Sequence, residues 1–253
     1  MEDADESTGS GLEAALPMTR SLLLVRAGDD AALDRALACG ADAVILDLQG
    51  GSGENRAATA SALARIGTRD GAPRLYVRIS ALGSGQVEAD LEAVVGARLD
   101  AIVLPEARSG ADVQHFAALL AVVEARSGLA DGATGVVATV CSDGAALFAA
   151  GSLASASLRL RALIWDGEAL AADLGAAAAR EDGDWIEPCR LARSLTLAAA
   201  AAARVPSIDA AFSAAEDLDG LRREAEAARR LGFLGKVATS PTQVAIVNAV
   251  FGR

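Results

Sequence analysis

Lysine and histidine are almost missing from this chain of 253 residues, which holds one of each, Lys236 and His115. With a single histidine there is no second imidazole for a histidine-built metal site and no spare partner to activate a cysteine nucleophile. His115 falls in the helix expected after the fourth strand, where it reads as a plain helical residue. Basic residues are nearly all arginine in an alanine-rich background, the signature of GC-rich bacterial coding. The three cysteines, Cys39, Cys141 and Cys189, are an odd number without disulfide or zinc spacing, and they suit a reducing cytoplasm. Positive charge is short as well. The net charge of -11 argues against broad nucleic-acid binding, which needs clustered Lys and Arg. Residues 1–17 have neither a basic start nor an apolar run, so they are expected to be an acidic, flexible tail rather than a signal peptide or membrane span.

What is present is apolar and repetitive. Hydrophobic residues make up 52% of the chain, enough for the core of one large α/β domain over 18–253. Eight short apolar runs are expected as strands: Ser21 to Val25, Ala43 to Asp47, Leu75 to Ile79, Ala101 to Leu104, Gly135 to Val140, Ala162 to Trp165, Ser207 to Asp209 and Lys236 to Thr239. Between them, Asp30 to Cys39, Asn55 to Ile66, Gly110 to Ser127 and Leu218 to Leu231 carry apolar residues at three- and four-residue spacing, as amphipathic outer helices do. Gly40, Gly71, Gly128 and Gly232 follow expected helices, where a left-handed cap is needed. Eight βα units predict a (β/α)8 TIM barrel. The rival, a doubly wound sheet, lacks a G-x-G-x-x-G after the first strand.

Several segments carry a family resemblance. RSLLLVRAG from Arg20, GADAVILDLQG from Gly40, LYVRIS from Leu75, AIVLPEA from Ala101, ALIWDGEALAADLG from Ala162, SIDAAF from Ser207 and GFLGKVATSPTQV from Gly232 occur in the order of one frame. The chain resembles the citrate lyase beta-subunit family, which also contains malyl-CoA lyases and related aldolases. The resemblance implies a TIM barrel, a homo-oligomer of three or more copies, and a small carbonyl or carboxylate substrate, possibly an acyl thioester. It also implies a C-terminal lid in many relatives, a segment this chain, ending VFGR, is not expected to have.

In a TIM barrel the chemistry sits at the C-terminal strand ends. That rule selects Asp47 and Gln49, Arg78 and Ser80, Glu106, Cys141 to Asp143, Asp166 and Glu168, Asp209, and Ser240. Arg78 matches the arginine of the family's V-R-I-N, whose implied role is to bind a substrate carboxylate or carbonyl. A planar, permanently charged fork suits that role, and an internal salt bridge with Asp47 is the other reading. The resemblance also implies magnesium, held by a Glu after the fifth strand and an Asp after the sixth. Here Ser142, or Cys141 if the register slips by one, and Ala169 stand at those places, and a methyl group offers magnesium no oxygen. The family's L-D-L-E-D is LDLQG, its L-P-K is LPEA with Glu106, and its I-H-P is TSP with Ser240.

These departures set the expectations. No metal is expected to be obligatory; magnesium is possible if Asp143 and Glu168 rebuild its site. The candidate catalytic residues are Asp47, Arg78, Glu106, Asp143, Asp166 and Glu168, since buried carboxylates can act as acids or bases near neutrality. The candidate substrate-binding residues are Arg78, Ser80, Ser142, Trp165 and Ser240. Cys141 reads as a core residue, and Lys236, at the foot of its strand, as part of the frame rather than a Schiff-base lysine. Three functions stay open: a repurposed enzyme without an obligatory metal, a magnesium-dependent lyase cleaving a 3-hydroxyacyl thioester, and a non-catalytic binding or assembly protein.

Overall fold

A computed structural model describes residues 19–67, 71–96 and 99–252; the expected tail at 1–17 lies outside the described residues. Eight parallel strands close into a barrel: β1 (Ser21–Arg26), β2 (Ala43–Asp47), β3 (Arg74–Arg78), β4 (Ala101–Leu104), β5 (Gly135–Val140), β6 (Leu160–Trp165), β9 (Ser207–Asp209) and β10 (Gly235–Ala238). Closure is direct, because β1 pairs with β2 on one side and with β10 on the other. A doubly wound sheet would leave two edges, so the rival is excluded. Between β6 and β9 the chain adds a small antiparallel hairpin, β7 (Arg180–Glu181) and β8 (Asp184–Trp185), that the sequence pattern did not announce.

Alternation along the strands builds two apolar layers. Leu22, Ile45, Tyr76, Val103, Val137 and Val237 fill the barrel interior. The intervening residues, such as Leu23, Val44, Val77 and Ile102, face outward against the helices. The interior is thus packed, and any site must sit where the packing stops, at the strand ends.

The outer helices include α1 (Asp30–Ala38), α2 (Gly53–Ile66), α3 (Val87–Val94), α4 (Gly110–Arg126), α5 (Gly144–Ala149), α6 (Gly167–Asp173), α7 (Glu187–Ala203), α8 (Leu218–Leu231) and α9 (Pro241–Phe251). Short polar side chains start many of them by accepting the orphan N–H groups of the first turn. Ser52 and Asn55 form a reciprocal capping box on α2, and Asp143, Asp166 and Asp217 cap α5, α6 and α8. Gly232, at φ 109, ends α8 in the left-handed geometry expected of it. Among the described residues no helix is long and apolar enough to cross a membrane.

Candidate active site

A cavity of about 90 Å³ opens at the C-terminal mouth of the barrel. Its floor is apolar, built by Leu24, Ile45, Val103, Ile164 and Val237, and its polar wall is Arg78, Thr139, Asp166 and Glu168. Strand parity explains the floor and the arginine together: Ile45 and Tyr76 point inward, so Asp47 and Arg78, two residues on, do too. Asp47 and Arg78 are direct partners in the β2–β3 register. Arg78 therefore donates side-on to Asp47, from Nε to Oδ1 at 2.8 Å and from Nη2 to Oδ2 at 2.6 Å. Both residues are partly exposed. This geometry uses one edge of the guanidinium and leaves the Nη1 hydrogens and the second Nη2 hydrogen available. The salt-bridge reading of Arg78 is realised without using up the fork.

Of the other candidates, Trp165, Asp166 and Glu168 reach the cavity. Asp166 Oδ1 accepts from the Ala169 N–H at 3.0 Å, as the cap of α6. Glu168 is exposed; its Oε1 accepts from Ser213 Oγ at 3.4 Å and lies 3.8 Å from Arg180 Nε. Trp165 is fully buried, and its indole N–H donates to Asp209 at 2.8 Å, so it walls the cavity and packs the core at once.

The remaining candidates sit elsewhere for identifiable reasons. Asp143 spends Oδ1 on the Ala146 N–H at 2.8 Å and Oδ2 on Arg108 Nε at 2.6 Å. Burial pushes its carboxyl up, but these hydrogen bonds and the Arg108 charge outweigh it and hold the group below the usual aspartate range. Ser80 is buried, with its backbone N–H on Asp90 Oδ2 at 2.8 Å, and Ser240 shares a 2.8 Å hydrogen bond with Thr242. Ser142 is buried with no partner for its hydroxyl. Cys141 is buried at φ 55, and burial, only partly opposed by a hydrogen bond with Thr196, raises its thiol pKa, so it stays protonated. Glu106, also left-handed at φ 53, accepts from Gln49 Nε2 at 3.3 Å.

A buried ion network that the sequence did not reveal supports the mouth from behind. Asp209 receives Lys236 Nζ at 2.7 Å, Arg193 Nε and Nη2 both at 3.0 Å, and the Trp165 indole. Lys236 also donates to Glu224 at 2.7 Å and to the Ala210 carbonyl at 2.6 Å, and Glu224 in turn pairs with Arg180. With all three donors spent in a fully buried site, Lys236 has no amine to offer a carbonyl substrate. Behind Trp165 lies Trp185, its ring centroid 4.8 Å away. Gly167 lets both rings approach: a Cβ there would lie 2.5 Å from Trp185 Cζ3 and 2.6 Å from Trp165 Cζ3. Gly167→Ala is therefore expected to cost about 1–3 kcal/mol by overpacking, read as a lower thermal midpoint with altered near-ultraviolet tryptophan circular dichroism.

The profile of the HpcH/HpaI aldolase/citrate lyase family matches residues 20–241. The chain belongs to this family. Among its relatives, the (3S)-malyl-CoA thioesterase of Cereibacter sphaeroides is 31% identical over 245 residues, covering 92% of this chain and 76% of the relative. The citrate lyase subunit beta-like protein of Mycobacterium tuberculosis is 32% identical over 217 residues, covering 85% and 72%. The solved citrate lyase beta subunit of M. tuberculosis with oxaloacetate and magnesium superposes with a TM-score of 0.78 at 30% identity, covering 96% of this chain and 99% of that one. A further structure of the same organism's CitE holds magnesium, acetoacetate and coenzyme A, with a TM-score of 0.76 at 28% identity, covering 94% and 82%.

Magnesium thus belongs to family structures, and the donors in this citrate lyase-like chain can be tested against it. Among the described residues no group of three His, Cys, Asp or Glu gathers as a metal site. Asp143 has both oxygens engaged, and of the two carboxylates on the cavity Asp166 has one oxygen on its helix cap while Glu168 leans to Ser213 and Arg180. A magnesium ion at the mouth would have to draw on Asp166 and Glu168 and complete its octahedron with water or substrate oxygens.

Proposed function

We propose that this member of the citrate lyase family is an enzyme that acts on a small carbonyl or carboxylate compound, free or as the acyl end of a thioester, without an obligatory metal. The observation that carries the reading is the sharing of one 90 Å³ cavity by the free edge of Arg78 and the carboxylates of Asp166 and Glu168. That volume equals about three water molecules, so an acid of a few heavy atoms fits and a coenzyme would stay outside. The relatives named malyl-CoA thioesterase and the neighbours holding oxaloacetate or acetoacetate support the substrate class.

The chemistry follows from the wall. Nη1 of Arg78 and the Thr139 hydroxyl can donate to a carbonyl or carboxylate oxygen and stabilise the negative charge that develops there in the transition state. The apolar floor lowers the local dielectric beneath the arginine and strengthens that interaction. Glu168, and the oxygen of Asp166 not used as a cap, are placed to take a proton from the substrate and return it after the bond change.

The test is turnover of a panel of 3-hydroxyacyl thioesters and small oxo acids by mass spectrometry, with and without chelator. Expected is activity indifferent to chelator and reduced about 10²–10⁴-fold in Glu168→Gln or Asp166→Asn; asparagine keeps the helix cap. Activity strictly dependent on added magnesium would replace this reading with that of a metal-dependent lyase. Absence of turnover across the panel would favour a binding protein.

A further inference from the structure

A second cavity, of about 530 Å³, runs along the flank of the barrel between the β7–β8 hairpin and α8. Its wall includes Arg180, Trp185, Phe212, Arg223 and Arg230. Three buried nitrogens of these lining residues have no hydrogen-bond partner: Nε and Nη2 of Arg180 and the indole Nε1 of Trp185. Trp185 is only 4% exposed. The benzo edge of its ring is set against Gly167, so the N–H belongs to the opposite end of the indole.

All three groups are donors that cannot accept, so whatever satisfies them must bring acceptor oxygens. Arg180 is held in place to do this. Its guanidinium carbon lies 3.7 Å over the Trp185 ring and 5.2 Å from that of Phe212, and Nη1 is engaged by Glu224. Nε is 3.8 Å from Glu168, beyond hydrogen-bonding distance.

Charge alone does not choose the ligand, since Arg180, Arg193, Arg223 and Arg230 face Asp182, Asp184, Asp217 and Glu224 on the wall; the unpartnered donors do. Glu224 is neutralised by Lys236 and Arg180, Arg193 by Asp209, and Asp217 caps α8 on the Gly220 N–H. Asp182 and Asp184 are exposed on the hairpin, whereas Arg223 and Arg230 stand seven residues apart on α8, two helical turns along the cavity.

We propose that this groove is a second ligand site, separate from the barrel mouth, that takes a small oxyanion, a phosphate or carboxylate group, on Arg180, Trp185, Arg223 and Arg230. Guanidinium forks and an indole N–H form a donor set that matches either group.

The full-length protein would be titrated with inorganic phosphate and, separately, with succinate, at ionic strength held constant with sodium chloride. Binding is read by calorimetry and by intrinsic fluorescence, whose sources are Trp165 and Trp185. Expected is saturable binding of at least one probe, the tighter one identifying the group. Arg223→Ala/Arg230→Ala, at two exposed positions, should weaken it at least about tenfold, and Trp185→Phe should weaken it and remove the fluorescence response. Arg78→Ala should leave phosphate binding unchanged, and the succinate titration is made in that variant, so that carboxylate binding at the barrel mouth does not enter it. No saturation with either probe would mean that water alone serves the three nitrogens, and would overturn the proposal. So would phosphate binding that survives the double arginine variant, or that disappears in Arg78→Ala.

Discussion

Asp209→Ala is expected to lower the stability of the barrel by about 3–5 kcal/mol, the cost of leaving buried cations unpaired. Asp209 is fully buried and takes the charges of Lys236 and Arg193 together with the Trp165 indole. Removing it leaves the nearly buried Arg193 guanidinium without a carboxylate and the fully buried Lys236 ammonium with Glu224 alone. For a domain of this size the loss corresponds to a fall of about 6–20 °C in the unfolding midpoint, measured by calorimetry or circular dichroism. Lys236→Met combined with Asp209→Leu should cost less than Asp209→Leu alone, because Arg193 is then the one cation of Asp209 left without its carboxylate. Single and double variants of equal stability to the parent would show that solvent reaches this network.

The same carboxylate makes stability depend on acid. Burial pushes the Asp209 pKa up, but the Lys236 and Arg193 charges and the hydrogen bonds from Lys236 and Trp165 prevail, so the group lies below the ordinary aspartate value. A pKa depressed in the folded state gives stability that is fully present above the unfolded value and is lost as pH falls through the folded one. With an unfolded aspartate near about 3.9, the contribution fades below about pH 4. Asp42, Glu124 and Asp143 are shifted in the same direction by their arginine partners and backbone N–H groups, each against the cost of burial, and they steepen the loss. Asp209→Ala should flatten its share of that acid slope.

The barrel was legible because it rests on local pattern. Ala43–Asp47, Ala101–Leu104, Gly135–Val140 and Ser207–Asp209 form strands at the expected limits, and α8 spans Leu218–Leu231 as its spacing implies. Parity also carries the Asp47–Arg78 pair, since both follow inward residues on adjacent strands. The sequence is silent where partners are distant. Trp165 and Asp209 are 44 residues apart, Lys236 and Asp209 27, and no periodicity links them. The hairpin at 180–185 has two residues per strand, too few to show alternation, so Arg180 and Trp185 passed unnoticed. Asp143 taught a different lesson. An aspartate just before a short run of small residues is a helix-cap signal, which accounts for Oδ1 on the Ala146 N–H, whereas Arg108, the partner of Oδ2, lies 35 residues away.

Arg78→Ala should reduce affinity for a small carboxylate ligand at the barrel mouth by about 2–5 kcal/mol, roughly 30-fold to several-thousand-fold. The size follows from three effects acting at one residue. The variant removes the cation on the cavity wall, widens a space of only 90 Å³, and leaves Asp47 without the partner that accounts for both its ion-paired oxygens. A carboxylate entering the cavity would then meet Asp47, Asp166 and Glu168 with no compensating charge. Arg78→Lys separates charge from shape: an ammonium has no planar fork with which to hold Asp47 side-on and present a second edge to a ligand. Lysine should therefore restore only a small part of the affinity, whereas Asp47→Asn, which keeps the arginine and the shape of its anchor, should retain most of it. Calorimetric titration with pyruvate and acetate, on variants whose circular dichroism shows an intact barrel, decides the matter. If Arg78→Ala binds both acids as the parent does, Arg78 serves only to neutralise Asp47 across β2 and β3, and the chemistry proposed for this cavity loses its electrostatic basis.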